Sequence, residues 1–146
     1  MERAGTPGEA LGIGLDDPAD VLSRFLFQKG HFKRAENRAL PEAFMPPTDL
    51  QLSTFLTTGM AAADIWDLGK EALASHPQPR LYGRADLDVG AVHSQKLKAL
   101  RDDNPDRHVS VVGWPTYSDG KALIKIIAQE LARSSSLTLL ATPASK

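Results

Sequence analysis

The chain has no cysteine among its 146 residues. That excludes a disulfide scaffold, a zinc ribbon, an iron–sulfur site and a cysteine nucleophile, and it suits a reducing, cytoplasmic setting. No run of about 18 apolar residues occurs, so the sequence predicts no membrane span. The first residues lack a basic segment followed by an apolar one, so no signal peptide is expected. Aromatic residues are few (five Phe, two Trp, two Tyr), which makes each large ring worth placing. An excess of charge is also missing: the net charge is −1, which on its own indicates no polyanionic partner. No fixed-period repeat is visible.

What is present is ordinary globular material, 42% hydrophobic and 24% charged. The length suits one domain, at about 100–200 residues per domain. Charge is unevenly spread. Residues 1–20 sum to −4 and residues 21–40 to +4, followed by −3 over 41–80, −1 over 81–120 and +3 over 121–146. Small basic patches therefore lie on a near-neutral molecule.

Residues 1–19 carry Gly5, Pro7, Gly8, Gly12, Gly14 and Pro18 with no hydrophobic period, and read as a flexible acidic arm. Residues 20–133 read as the globular domain and 134–146 as a tail, although Leu137-Thr138-Leu139-Leu140 could add a short strand. Strands are expected at Leu22–Gln28, Leu50–Thr57, Leu81–Leu87 and His108–Val112, with a short extended piece at Ala43-Phe44-Met45. In the second of these, Leu50, Leu52, Thr54 and Leu56 share one face. A helix is expected over Ala61–Ala74, with Ile65 and Leu68 on its apolar stripe and Thr58 as a cap. Asp88 caps a second helix running through Val92, Leu97 and Leu100. Asp119 caps a third, whose stripe is Leu123, Ile124, Ile127, Ala128 and Leu131. The expected fold is α+β: a small mixed or antiparallel sheet of about four to five strands with about three helices.

Three groups of residues have chemical potential. Lys29, His31, Lys33, Arg34 and Arg38 lie beside Phe25, Phe27 and Phe32, a pattern that can hold a phosphate backbone and stack a base. The plainer reading is a solubilising rim over a hydrophobic strand. Tyr82, Arg84 and Asp86 line one strand face, where Arg84 can grip a carboxylate or phosphate bidentately. Asp106-Arg107-His108 puts a histidine at a strand mouth beside an acid and a cation, which is the material of general acid–base work. Trp114, six residues on, can stack a ligand or simply fill the edge of the core.

Several chemistries fail on spacing. Gly113 and Gly120-Lys121 are too far apart for a phosphate loop, and Ala122 stands where the magnesium-binding hydroxyl belongs. No Gly-x-Gly-x-x-Gly or Gly-x-Ser-x-Gly occurs. His31, His76, His93 and His108 form no metal-ligand spacing, and Asp86 and Asp88 read as a strand end and a helix cap, so no metal or cofactor is expected. The leading expectation is a small intracellular binding or accessory protein contacting an anionic partner, with nucleic acid first. Its contacts would be Arg24, Lys29, Lys33, Arg34, Arg38, Arg84, Arg107 and Trp114. One alternative is a phosphoester- or nucleotide-directed enzyme using His31 or His108 with an arginine. Another is an antitoxin, immunity or scaffold subunit of a protein complex.

Overall fold

The computed structural model describes residues 12–146. Nine strands and three α-helices follow one another among these described residues. The strands are β1 (Ile13–Gly14), β2 (Val21–Leu26), β3 (Phe32–Lys33), β4 (Arg38–Ala39), β5 (Leu52–Leu56), β6 (Arg80–Asp88), β7 (Lys98–Arg101), β8 (His108–Val112) and β9 (Ser136–Ser145). The helices are α1 (Ala62–Ala74), α2 (Val89–Ser94) and α3 (Tyr117–Ser134), and 3-10 turns occupy Lys29–His31, Arg34–Glu36 and Pro41–Phe44. Seven strands form one sheet in the order β1-β7-β8-β5-β2-β6-β9, every pair antiparallel, and β3 and β4 make a separate small ribbon. No helix among the described residues is long and apolar enough to cross a membrane.

The two faces of the sheet are covered unequally. On one face Leu22, Leu26, Leu52, Leu56, Ala85, Leu87, Val109 and Val111 meet Val89 and Val92 of α2, Ile124, Ile127, Ala128 and Leu131 of α3, and Phe44 of the Pro41–Phe44 turn. This is the main core, built from the alternate residues that a strand sends to one side. On the other face, among the described residues, α1 packs through Ile65 and Leu73 against Phe25, Phe55 and Leu81. Beyond Phe55 that face is polar: Ser53, His108 and Ser110 take the positions where a second covering helix would require apolar side chains.

The sheet is larger than the four to five strands expected from sequence. The segment taken as the end of a helix is β7: α2 stops at Ser94, and Lys96 turns with φ +61 into the strand that carries Leu100. The expected tail is β9, paired along β6 from Arg80↔Ser145 to Asp86↔Ser136. It packs so closely that a Cβ on Gly83 would fall 2.5 Å from the Thr138 carbonyl oxygen. Of the expected arm, residues 1–11 lie outside the described residues, whereas Ile13 and Gly14 pair with Arg101 and Leu100.

Two caps also differ. Thr58 does not cap α1: its Oγ1 accepts from Val21 N–H and donates to Asp20. The helix α3 starts at Tyr117 behind Thr116, and the Asp119 carboxylate accepts from the Thr116 hydroxyl. Asp88 does cap α2, accepting from Ala91 N–H at 2.8 Å. Leu123, placed on the α3 stripe from sequence, is instead half exposed, and Ala132 takes its place in the core.

Candidate functional site

β2 and β5 pair only at Leu22↔Leu56 and Ser23↔Phe55, although both strands run on past those residues. At the point where they part, the Arg24 side chain bridges the gap. Its Nε donates to Ala43 O at 2.8 Å and its Nη1 to Ser53 O at 3.0 Å. A cleft of about 610 Å³ opens here, bounded by Arg24, Phe25 and Phe27 of β2 and its extension, Ser53 and Phe55 of β5, and His108 and Ser110 of β8. The C-terminal end of α1 with His76 and the β7–β8 turn with Asp102 and Asn104 close its sides.

Within this cleft His108 joins two side chains. Its Nδ1 lies 2.8 Å from Asp102 Oδ1 and its Nε2 lies 3.0 Å from Ser53 Oγ. Asp102 Oδ1 also accepts from Asn104 N–H at 3.1 Å, which fixes the carboxylate on the β7–β8 turn. The edge of the imidazole meets the Phe55 ring at 84° with centroids 5.4 Å apart, so the ring has little freedom to rotate. With the Nδ1 proton donated to the carboxylate, the Nε2 lone pair faces the Ser53 hydroxyl. Ser53 is exposed, whereas the His108 and Asp102 side chains are only 12% and 24% exposed. The strand register is responsible for the meeting. His108 stands opposite Phe55 and Ser110 opposite Ser53, so Ser53 is the diagonal neighbour of His108 on the same face of the sheet, within reach of a long side chain.

The far wall is cationic. Burial lowers the Arg24 pKa to about 10, which leaves it fully charged at neutral pH. Among the described residues no carboxylate pairs with it. His76 stacks on Phe27 with centroids 4.1 Å apart, and its Nδ1 accepts from Gln78 N–H. The Lys146 ammonium donates to the His76 carbonyl. Burial first, then Arg24 and Lys146, push His76 below the usual histidine value. Burial and Arg24 do the same to His31, partly offset by Glu42.

The other residues singled out from sequence disperse. Lys29 and Arg34 are exposed on the 3-10 turns. Lys33 and Arg38 both pair with Glu36, at 3.0 and 2.5 Å, and together hold that carboxyl below its ordinary range. Arg84 is buried under α1, with its Nε 3.1 Å from Asp86 Oδ2 and its guanidinium 4.5 Å from the Trp66 ring centre, and its Nη1 has no hydrogen-bond partner among the described residues. Arg107 donates from Nε to Leu56 O at 2.6 Å. Trp114 is 7% exposed in the main core and donates to Val111 O, so it has no face for a ligand. The cleft therefore gathers Arg24 and His108, has His31 behind Arg24, and leaves the rest elsewhere. Asp106, the acid expected beside His108, is exposed, and the partner is Asp102 on the opposite limb of the β7–β8 turn.

No family model matches the chain, and no curated protein or solved structure matches it either.

Proposed function

We propose that the cleft is the active site of a hydrolase in which Ser53 is the nucleophile, His108 its general base and Asp102 the group that orients the base. One observation carries this reading: the unbroken hydrogen-bond path Asp102–His108–Ser53, opening onto a cavity of a size that takes a small substrate. As Ser53 Oγ attacks, its proton passes to His108 Nε2, and Asp102 stabilises the imidazolium that forms. His108 then returns the proton to the leaving group. A positioned base of this kind is worth about 10²–10⁴ in rate. Ser53 sits within a strand rather than on a sharp turn before a helix, so stabilisation of developing charge falls to side chains, with Arg24 and Asn104 at hand.

A fluorophosphonate probe tests this directly. The expected adduct is on the peptide containing Ser53, with formation slowed at least about a hundredfold by His108→Ala. Intact protein carrying no label, or label on a different serine, would sink the assignment.

A binding role toward nucleic acid is the second reading. It is supported by Lys29 and Arg34, which are exposed on the 3-10 turns beside the β3–β4 ribbon and carry no ion pair among the described residues. Because Glu36 already neutralises part of this rim, the charge available is less than the sequence total. Binding of a mixed-sequence oligonucleotide at low salt is expected to show a log–log salt slope of only about −2, one unit per phosphate contact, with Arg34→Ala removing about one unit. A slope near zero would end this reading. A protein partner would meet the exposed Leu123 and Ile126 on α3.

A further inference from the structure

We infer that the anionic end of the cleft's substrate seats against Arg24 and that this group is a phosphoryl group, so that the reaction is phosphoester hydrolysis. The inference rests on the Ser53 reading for its chemistry, but the seat itself stands on separate observations. Arg24 is a half-buried guanidinium whose contacts are two carbonyl oxygens, with no carboxylate partner among the described residues. A desolvated cation in a cavity wall is costly unless an anion completes it. One further cation lies near: the Lys146 ammonium sits on the carbonyl of His76, whose imidazole, neutral at neutral pH, lines the same wall.

Two acids also line the cleft, Asp49 and Asp102. Asp102 is engaged by His108 and Asn104 N–H, and Asp49 is exposed and accepts from Gln51 N–H. Solvent screens an exposed carboxylate far more than a half-buried guanidinium, so Arg24 sets the sign at its end. The Nη1 bond from Arg24 to the Ser53 carbonyl fixes the cation beside the residue that bears the nucleophile. An arginine fork suits the several oxygens of a phosphoryl group better than the single oxygen of a neutral ester carbonyl.

The step balances without a further reactant beyond water. Ser53 Oγ forms a bond to phosphorus as the bond from phosphorus to the alkoxy oxygen breaks. His108 carries the serine proton to the departing alcohol. Water then attacks the phosphoserine, giving its proton to His108, which returns it to Ser53 Oγ as inorganic phosphate leaves.

The test is a titration of the full chain with inorganic phosphate at low ionic strength, followed by NMR. Saturable shifts are expected at Arg24, Ser53 and His76. Arg24→Gln is expected to weaken binding at least about tenfold, as loss of a charge-assisted fork does. Leu123→Ala, on the opposite side of the sheet, is expected to leave binding within about twofold. Shifts confined to a separate cavity of about 420 Å³ lined by Arg38, Pro41 and Arg133, or binding indifferent to Arg24→Gln, would overturn the seat. Should Arg24→Gln fail to fold, the wild-type His76 titration decides. Saturating phosphate must raise its pKa against the depression from burial, Arg24 and Lys146, and no change would overturn the inference. Phosphate at Arg24 without fluorophosphonate labelling of Ser53 removes the nucleophile alone. Labelling without phosphate at Arg24 removes the seat alone.

Discussion

Ser53→Ala is expected to lower turnover of an activated phosphoester such as p-nitrophenyl phosphate by about a thousandfold or more, and adding His108→Ala is expected to cost almost nothing further. A thousandfold corresponds to about 4 kcal/mol of lost transition-state stabilisation. The two side chains form one proton path, with His108 Nε2 3.0 Å from Ser53 Oγ. Once either end is gone, the other has nothing to give or receive. Asp102→Asn is expected to lower turnover by a comparable order, because an amide at the 2.8 Å contact can present N–H to Nδ1 and turn the Nε2 proton toward Ser53. The effect should fall on kcat more than on KM, since none of the three groups needs to hold the ground-state substrate. Losses that multiply across the double variant would show that the residues act independently, and the relay would have to be given up.

The largest loss of stability is expected from Phe44→Ala, about 3–5 kcal/mol, or roughly 10 °C in melting temperature for a chain of this size. Phe44 is fully buried, and it anchors the Pro41–Phe44 turn in the main core against α3. Removing the ring leaves a cavity between a rigid sheet and a helix, which cannot collapse freely. The neighbouring residue, Ala43, supplies the carbonyl that receives Arg24 Nε, so a loosened turn should also weaken phosphate binding. Leu123→Ala is the matching control: its side chain is 50% exposed, and a shift within about 0.5 kcal/mol is expected. Equal losses from both substitutions would mean that the main core is not where these contacts place it.

Sequence patterns located the elements that carry their own period. β2, β5, β6 and β8 alternate visibly, α1 and α3 have apolar stripes, and Asp88 announces α2. The missed strands carry no such signal. β7 is four residues long and its Leu100 continues the spacing of Val92 and Leu97, so only the backbone turn at Lys96 separates strand from helix. β9 is rich in Ser and Thr and contains Pro143, and it is a strand because β6 offers it an edge. The same limit applied to the cleft. His108 and Arg24 stood out by residue type. Ser53 looked like the polar alternate of a half-buried strand, although the face opposite Leu52, Thr54 and Leu56 was already marked by the period. Asp102 reaches His108 only because β7 and β8 form a hairpin, so an acid six positions upstream became the neighbour and Asp106 did not.

The parting of β2 from β5 sets a limit on how this protein can be made sturdier. A side chain, Arg24, occupies the place where main-chain rungs would otherwise continue. Any redesign that zipped the two strands together past Ser23 and Phe55 would gain hydrogen bonds and close the cavity in the same stroke. Robustness and a usable interior thus compete for one short stretch of backbone, and thermal selection acting on this chain without regard to its chemistry would be drawn toward the closed, inert form.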